Sequence, residues 1–157
     1  MSLVRASVWC VAVLAAAPVA AQEYGLYLLC SGKVEAKGRT TDAHLDLALR
    51  RNSYLALVQR SNVLPVSQRM RLQISPAYYS MVFQAPVRGS AAFYDWSRGA
   101  LFVWAPDLLE LHEARISVDR KTAALEGEMR NGAGAMLGRL NMRCEPKKNE
   151  DMEEPKF

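Results

Sequence analysis

A chain of 157 residues has room for one domain with a real core and not for two. Its formal net charge of +4 is carried by single arginines rather than basic runs, which gives no nucleic-acid-binding segment and argues only weakly for an anionic partner.

Met1–Ala21 comes first. Arg5 supplies a short positive stretch, and Ala6 to Ala17 then runs without charge until Pro18 ends it. An apolar run of about a dozen residues suits a signal peptide and falls short of the ~20 that a membrane-spanning helix needs. Val19 and Ala21 are the small residues that signal peptidase reads before a cut at Gln22. A lipoprotein reading fails, because Leu29 precedes Cys30 and Cys30 lies well past the apolar run. The expectation is therefore a signal peptide over 1–21 and export to the periplasm or the medium. No stable membrane insertion is expected after cleavage, and in that compartment no nucleic-acid partner.

Cleavage removes Cys10 and leaves Cys30 and Cys144, an even pair where disulfides persist. One bond between them closes a loop of over a hundred residues, for which chain entropy gives roughly 4–5 kcal/mol. A metal or redox pair would call for Cys-x-x-Cys spacing or nearby histidines, and neither is present. The predicted bond is Cys30 to Cys144, holding the first and last strands together.

Leu28 to Ala36 alternates as a half-buried strand with Cys30 facing inward, and Gly32 inside it marks a bulge or a close backbone approach. Gly38 to Thr41 turns the chain. The second strand sends Ala43, Leu45, Leu47 and Leu49 to the core and Asp42, His44, Asp46 and Arg50 to water. A turn at 51–53 leads to a third strand over 54–60, and 62–67, with Pro65, is a loop. A fourth strand over 69–75 places Met70, Leu72 and Ile74 inside, and 78–84 forms a fifth. Turn residues Asp95 to Gly99 between aromatic runs predict a hairpin, and Pro106 to Leu111 carries the chain's one helix-start signal, for a turn or two at most. Strands over 115–119 and 123–130 bring Ile116 and Val118 to face Leu125 and Met129. The last strand aligns Met136, Leu140, Met142 and Cys144. The charged segment 146–157 has nothing to bury and is expected to be a disordered tail. The fold class is all-β, an antiparallel β-barrel or β-sandwich of about eight strands with at most one short helix, in a single domain over 22–145.

Candidate chemistry is sparse. Asp42, His44 and Asp46 share a strand face at about 6.5–7 Å spacing, too wide for direct joint coordination at ~2 Å, so they read as a solvated face and no metal or cofactor is expected. Only His44 and His112 could serve as imidazole bases, and no Gly-x-Ser-x-Gly elbow accompanies them, so an enzyme is not expected. Tyr78, Tyr79, Phe93, Tyr94, Trp96, Phe102 and Trp104 concentrate in the middle third, near Arg88 and Arg98. Most read as sheet or core packing. Trp96, in a turn, is harder to bury, which makes it, with Tyr94 and Arg98, the candidate contact for a partner such as an envelope component or another exported protein. Two further readings are a barrel carrier of a small apolar ligand, marked by an empty apolar cavity, and an envelope hydrolase, marked by a cleft with facing carboxylates.

Leu29-Cys30-Ser31-Gly32, the hairpin Ile116-Ser117-Val118-Asp119-Arg120-Lys121-Thr122 and the closing Cys144 resemble small exported bacterial β-proteins with a cysteine near each end of the domain. Ala123 stands where such hairpins have glycine. The resemblance implies no activity.

Overall fold

The computed structural model describes residues 25–85, 92–102 and 110–147. The expected signal peptide lies outside them, as do most of the expected helix start and the tail from 148 onward. The described residues form ten strands: β1 (Leu26–Ala36), β2 (Arg39–Arg50), β3 (Leu55–Ser61), β4 (Arg69–Ile74), β5 (Tyr78–Gln84), β6 (Phe93–Asp95), β7 (Ala100–Phe102), β8 (Leu111–Asp119), β9 (Ala124–Asn131) and β10 (Met136–Lys147). Eight of them close into an antiparallel barrel in the order β1-β10-β9-β8-β5-β4-β3-β2, and β6 and β7 form a separate hairpin. Of the two expected architectures, the barrel is the one formed.

Alternation drives the closure. Leu28, Cys30 and Val34 of β1, Ala43, Leu45, Leu47 and Leu49 of β2, and Leu140, Met142 and Cys144 of β10 all turn into one buried cluster. Leu45, Leu47, Val58, Met70, Leu72, Met81, Phe83, Leu125 and Met129 are essentially inaccessible, so side chains fill the interior, as suits an eight-stranded barrel. Outward positions carry Lys33, Glu35, Arg69, Arg71, Arg115, Glu126, Arg139 and Arg143, the reverse of the apolar outer band of a membrane-spanning barrel. No helix among the described residues is long and apolar enough to cross a membrane.

The tight curl of β1 and β10 needs residues without side chains on the inner face. Gly32 lies opposite Met142, and a Cβ there would fall 2.3 Å from the Asn141 carbonyl oxygen and 2.5 Å from the Met142 Cα. The register is continuous at this point, so Gly32 marks a close backbone approach and not a bulge.

Several boundaries differ from the sequence reading. β1 and β2 join through two residues only, Lys37 and Gly38, both at positive φ (50° and 73°), the backbone that a tight twisted hairpin demands. Tyr54 belongs to the turn before β3 and not to the strand, and Leu55 and Leu57 face outward while Ala56 and Val58 face the core. β8 starts at Leu111, where a helix end was expected. Met136 is exposed because the register shifts between Met136 and Gly138, taking it off the inward face of β10. Ile116 faces Gly127, while Val118 faces Leu125 and Ala114 faces Met129. Pro146 and Lys147, expected in the tail, pair with Leu28 and Tyr27. Proline is tolerated there because the Cys144 N–H bonds Ala123 on the β9 side, and two residues further on β9 has ended, leaving no carbonyl for the missing N–H to meet.

Cys30 and Cys144 are directly opposite on β1 and β10, with Cα atoms 3.9 Å apart, and form the predicted disulfide across 114 positions of sequence. Two strands round the barrel and in register with Cys30 through Leu45, Ser61 Oγ accepts the N–H groups of Val63 (3.0 Å) and Leu64 (2.8 Å), folding both residues back into the core.

Candidate partner-contact surface

The β6–β7 hairpin packs on the outside of β2 and β3. The Val66 N–H bonds the Ala92 carbonyl at 2.7 Å, fixing the approach to β6 beside the β3–β4 loop. Phe93 is 2% exposed, yet it stands apart from the barrel's interior cluster, as do Tyr27 and Ala48. Tyr27 and Ala48 are opposite each other on β1 and β2, so burial on the barrel wall is not confined to its inner face.

The polar side chains of the same face support the hairpin's aromatics. The His44 and Trp96 rings lie 4.9 Å apart at 30°, and Trp96 meets Tyr94 edge-on at 4.8 Å. The Arg60 guanidinium sits 5.7 Å from the Tyr94 ring centroid, and its Nε donates to Asp46 Oδ2 at 2.7 Å. Asp46 is only 5% exposed, so the alternation that assigned it to water is corrected here. Burial pushes its carboxyl above the usual carboxylate range, and the adjacent charge and hydrogen bond of Arg60 oppose that shift. A bulge sets the pair up. Asp46 lies opposite Arg60 and Leu47 opposite Val58, which leaves Gln59 as the extra residue of β3.

The three members of the Asp42-x-His44-x-Asp46 pattern have separate partners. Asp42 pairs with Lys33 at 2.6 Å in full solvent, and the hydrogen bond and charge of Lys33 hold its carboxyl below the ordinary value. Asn62 ties the strand edge by accepting the His44 N–H (2.8 Å) and donating to the Asp42 carbonyl (3.0 Å). No group of three or more His, Cys, Asp or Glu able to hold a metal occurs among the described residues.

At the hairpin tip, Asp95 Oδ1 accepts from the Ser97 N–H (2.9 Å) and hydroxyl (2.6 Å), and these bonds hold its carboxyl below the usual range. Arg98 lies 3.5 Å from Asp95 and keeps 79% of its side chain exposed. Tyr94 and Trp96 are half-buried, and Leu101 is 55% exposed beside them. Of the sequence candidates, Tyr94 and Trp96 touch directly and Arg98 lies at the turn beside them. Sequence reasoning missed His44, Asp46 and Arg60 as their supports, since those lie about 35–50 positions earlier and read as an ordinary polar strand face. Arg88 and Trp104 lie outside the described residues, and Tyr78 and Tyr79 stand on β5 at the barrel wall.

A second surface feature is an open groove of about 880 Å3 over the outer faces of β1, β10, β9, β8 and β5. Lys33, Arg115 and Arg139 alternate there with Glu35, Glu126 and Glu128. The Glu128 carboxyl is held low, first by the hydrogen bond from Arg130. No protein-family model matches this chain, and neither does any curated protein or solved structure.

Proposed function

We propose that this protein is an exported, non-enzymatic binding module in which a side-chain-filled barrel holds the 93–102 hairpin rigidly, and that Trp96, Tyr94 and Arg98 contact an envelope component or another exported protein. The observation that carries the reading is the hairpin itself, an addition the barrel does not need for closure, with half-buried aromatics backed by His44, Arg60 and Asp46 and an exposed Arg98 and Leu101 at its surface. Aromatic and arginine anchors of this kind dominate many interfaces. The packed interior favours this over a carrier of an apolar ligand. In the large groove Glu35 and Glu128 stand on either side of Arg139 in register across β1, β10 and β9, and the Glu128 carboxyl is held low, which is opposite to what a general acid requires. The disulfide accords with an oxidising compartment.

Capture from an envelope extract tests this reading, using the tagged protein beside Arg98→Glu, Trp96→Ala and, as a control at the β8–β9 turn on the opposite side of the barrel from β2 and β3, Lys121→Glu. The expected result is a component retained by the parent and by Lys121→Glu and lost with both hairpin variants, whose circular dichroism stays that of the parent. Equal retention by all four proteins, or none, overturns the proposal.

A further inference from the structure

The outer face of β4 forms a second, smaller groove of about 610 Å3, its lining including Ser53, Tyr54, Leu55, Arg69, Arg71 and Gln73, and none of its residues belongs to the hairpin. Arg69 and Arg71 are exposed neighbours on one strand face, about 6.5–7 Å apart, and neither guanidinium has a hydrogen bond or ion pair among the described residues. The barrel's cations at Lys33, Arg60, Arg115 and Arg130, by contrast, each have a carboxylate partner. No carboxylate among the described residues lines the groove.

Tyr54 is the second observation. Its backbone is left-handed (φ 50°, ψ 44°), an outlier for a bulky aromatic, and its side chain remains 61% exposed. The Tyr54 carbonyl accepts the Leu72 N–H at 2.8 Å, which ties this conformation to β4. The ring is thus presented at the groove although no packing in the barrel calls for it.

We infer that this groove binds a linear acidic glycan, with Arg69 and Arg71 holding successive carboxylate or sulfate groups, Tyr54 stacking on a sugar ring, and Gln73 and Ser53 meeting hydroxyls. Paired guanidiniums match planar or tetrahedral anions through forked hydrogen bonds. An extended acidic peptide has the same charge spacing, but β4 is already paired on both edges, to β3 and to β5, so the peptide backbone would find no ladder to join. A bilayer surface is flat and would meet the rims of a recess rather than its lining.

Titration calorimetry of the disulfide-bonded protein with heparin oligosaccharide and with oligogalacturonate tests the inference, beside malto-oligosaccharide, polyglutamate and phosphatidylglycerol vesicles. At least one acidic glycan is expected to bind, with Arg69→Gln and Arg71→Gln each weakening it about tenfold, as for loss of a charge-assisted contact. Tyr54→Gly, which accepts the left-handed backbone without strain, is expected to weaken it at least about threefold, and Tyr54→Phe to retain it. Arg143→Gln, the same loss of charge on β10, is expected to change affinity by less than about twofold. The inference is overturned if neither acidic glycan binds, if Arg143→Gln weakens binding as much as the β4 variants, if Tyr54→Gly leaves it unchanged, or if malto-oligosaccharide, polyglutamate or vesicles bind as well as the glycan. Because none of these residues is in the hairpin, Trp96→Ala should leave glycan binding intact, so the two surfaces succeed or fail separately.

Discussion

Arg60 Nε and Asp46 Oδ2 meet at 2.7 Å from directly opposite positions on β2 and β3, with the arginine side chain 45% exposed and the aspartate side chain 7% exposed. Removing the arginine would strand a buried carboxylate. Arg60→Gln is expected to destabilise the protein by about 1–2 kcal/mol at neutral pH, toward the low end for an orphaned buried group because Arg60 itself is half in water. The pH dependence gives a sharper check. A carboxyl whose folded-state pKa lies above its unfolded value binds its proton more tightly when folded, so its contribution to stability falls as pH rises from about the ordinary aspartate value of 3.8 through the raised folded value. Without Arg60 to oppose burial, that rise is larger. The deficit of Arg60→Gln should therefore shrink as pH is lowered from 7 to 4.5, read as the difference in urea midpoints. A deficit that stays constant or grows would show that Asp46 ionisation is not its source.

Much of the barrel was legible because its walls obey period two. Ala43, Leu45, Leu47 and Leu49, and again Leu140, Met142 and Cys144, alternate cleanly, and each faces the interior. Two inward cysteines near the ends of such a chain, once paired, hold the first and last strands close, which closure also requires, although a bond across two facing sheets would meet the same condition. The outer cluster was not legible, for a physical reason. Alternation reports which face a residue occupies and not what later covers that face. Asp46 lies on an outward face like Asp42, but the 93–102 hairpin packs on that side of β2 and β3, and no local pattern in 42–46 encodes it. Arg69 and Arg71 read as a plain solvent face of β4, and Tyr54 as a strand residue, because an isolated left-handed aromatic has no sequence signature.

Gly32 gives a prediction with a built-in ranking. Its absent Cβ would meet backbone on β10 at 2.3 and 2.5 Å, whereas at Gly127 the nearest atom is the Leu140 side chain at 3.1 Å, followed by the Arg115 carbonyl oxygen at 3.2 Å. Backbone cannot yield as a side chain end can. Gly32→Ala is expected to destabilise by about 3 kcal/mol or more and Gly127→Ala by about 1–2 kcal/mol. Denaturant midpoints of the two variants test this, and an equal or reversed ranking would contradict the close approach of β1 and β10.

Ala123 stands at φ 59° in the β8–β9 turn, its N–H bonded to the Asp119 carbonyl at 2.9 Å. Asp119 Oδ1 meanwhile accepts the N–H groups of Lys121 (2.7 Å) and Thr122 (2.9 Å), so the turn is fixed around a residue that dislikes its conformation. A left-handed alanine costs about 1–2 kcal/mol relative to glycine, offset in part by the greater chain entropy of unfolded glycine. Ala123→Gly should therefore raise stability by up to about 1 kcal/mol, seen as a higher melting temperature, and a fall would mean that the methyl group packs more usefully than the backbone is strained.

Cys30 and Cys144 are each 2% exposed, and their bond joins the first and last strands of the closed barrel. The β1–β10 ladder nevertheless continues on both sides of it, from Tyr27 opposite Lys147 to Ala36 opposite Gly138, so the barrel has hydrogen bonds to hold this seam without the covalent link. The bond acts chiefly on the unfolded chain, in which it closes nearly the whole domain. Its loss is expected to lower stability by about 2–5 kcal/mol out of the ~5–15 usual for a domain, while circular dichroism in the absence of denaturant stays that of a folded β-protein. Replacing both cysteines by alanine gives the cleaner comparison, because paired serines would bury two hydroxyls in an apolar cluster. The Cys30→Ala, Cys144→Ala variant and the reduced parent should therefore both unfold at lower urea than the oxidised parent, and the denatured, unreduced parent should show no free thiol at either position. Free thiols at both positions would remove the bond, and an unchanged midpoint on reduction would mean that the ladder alone sets the stability of the seam.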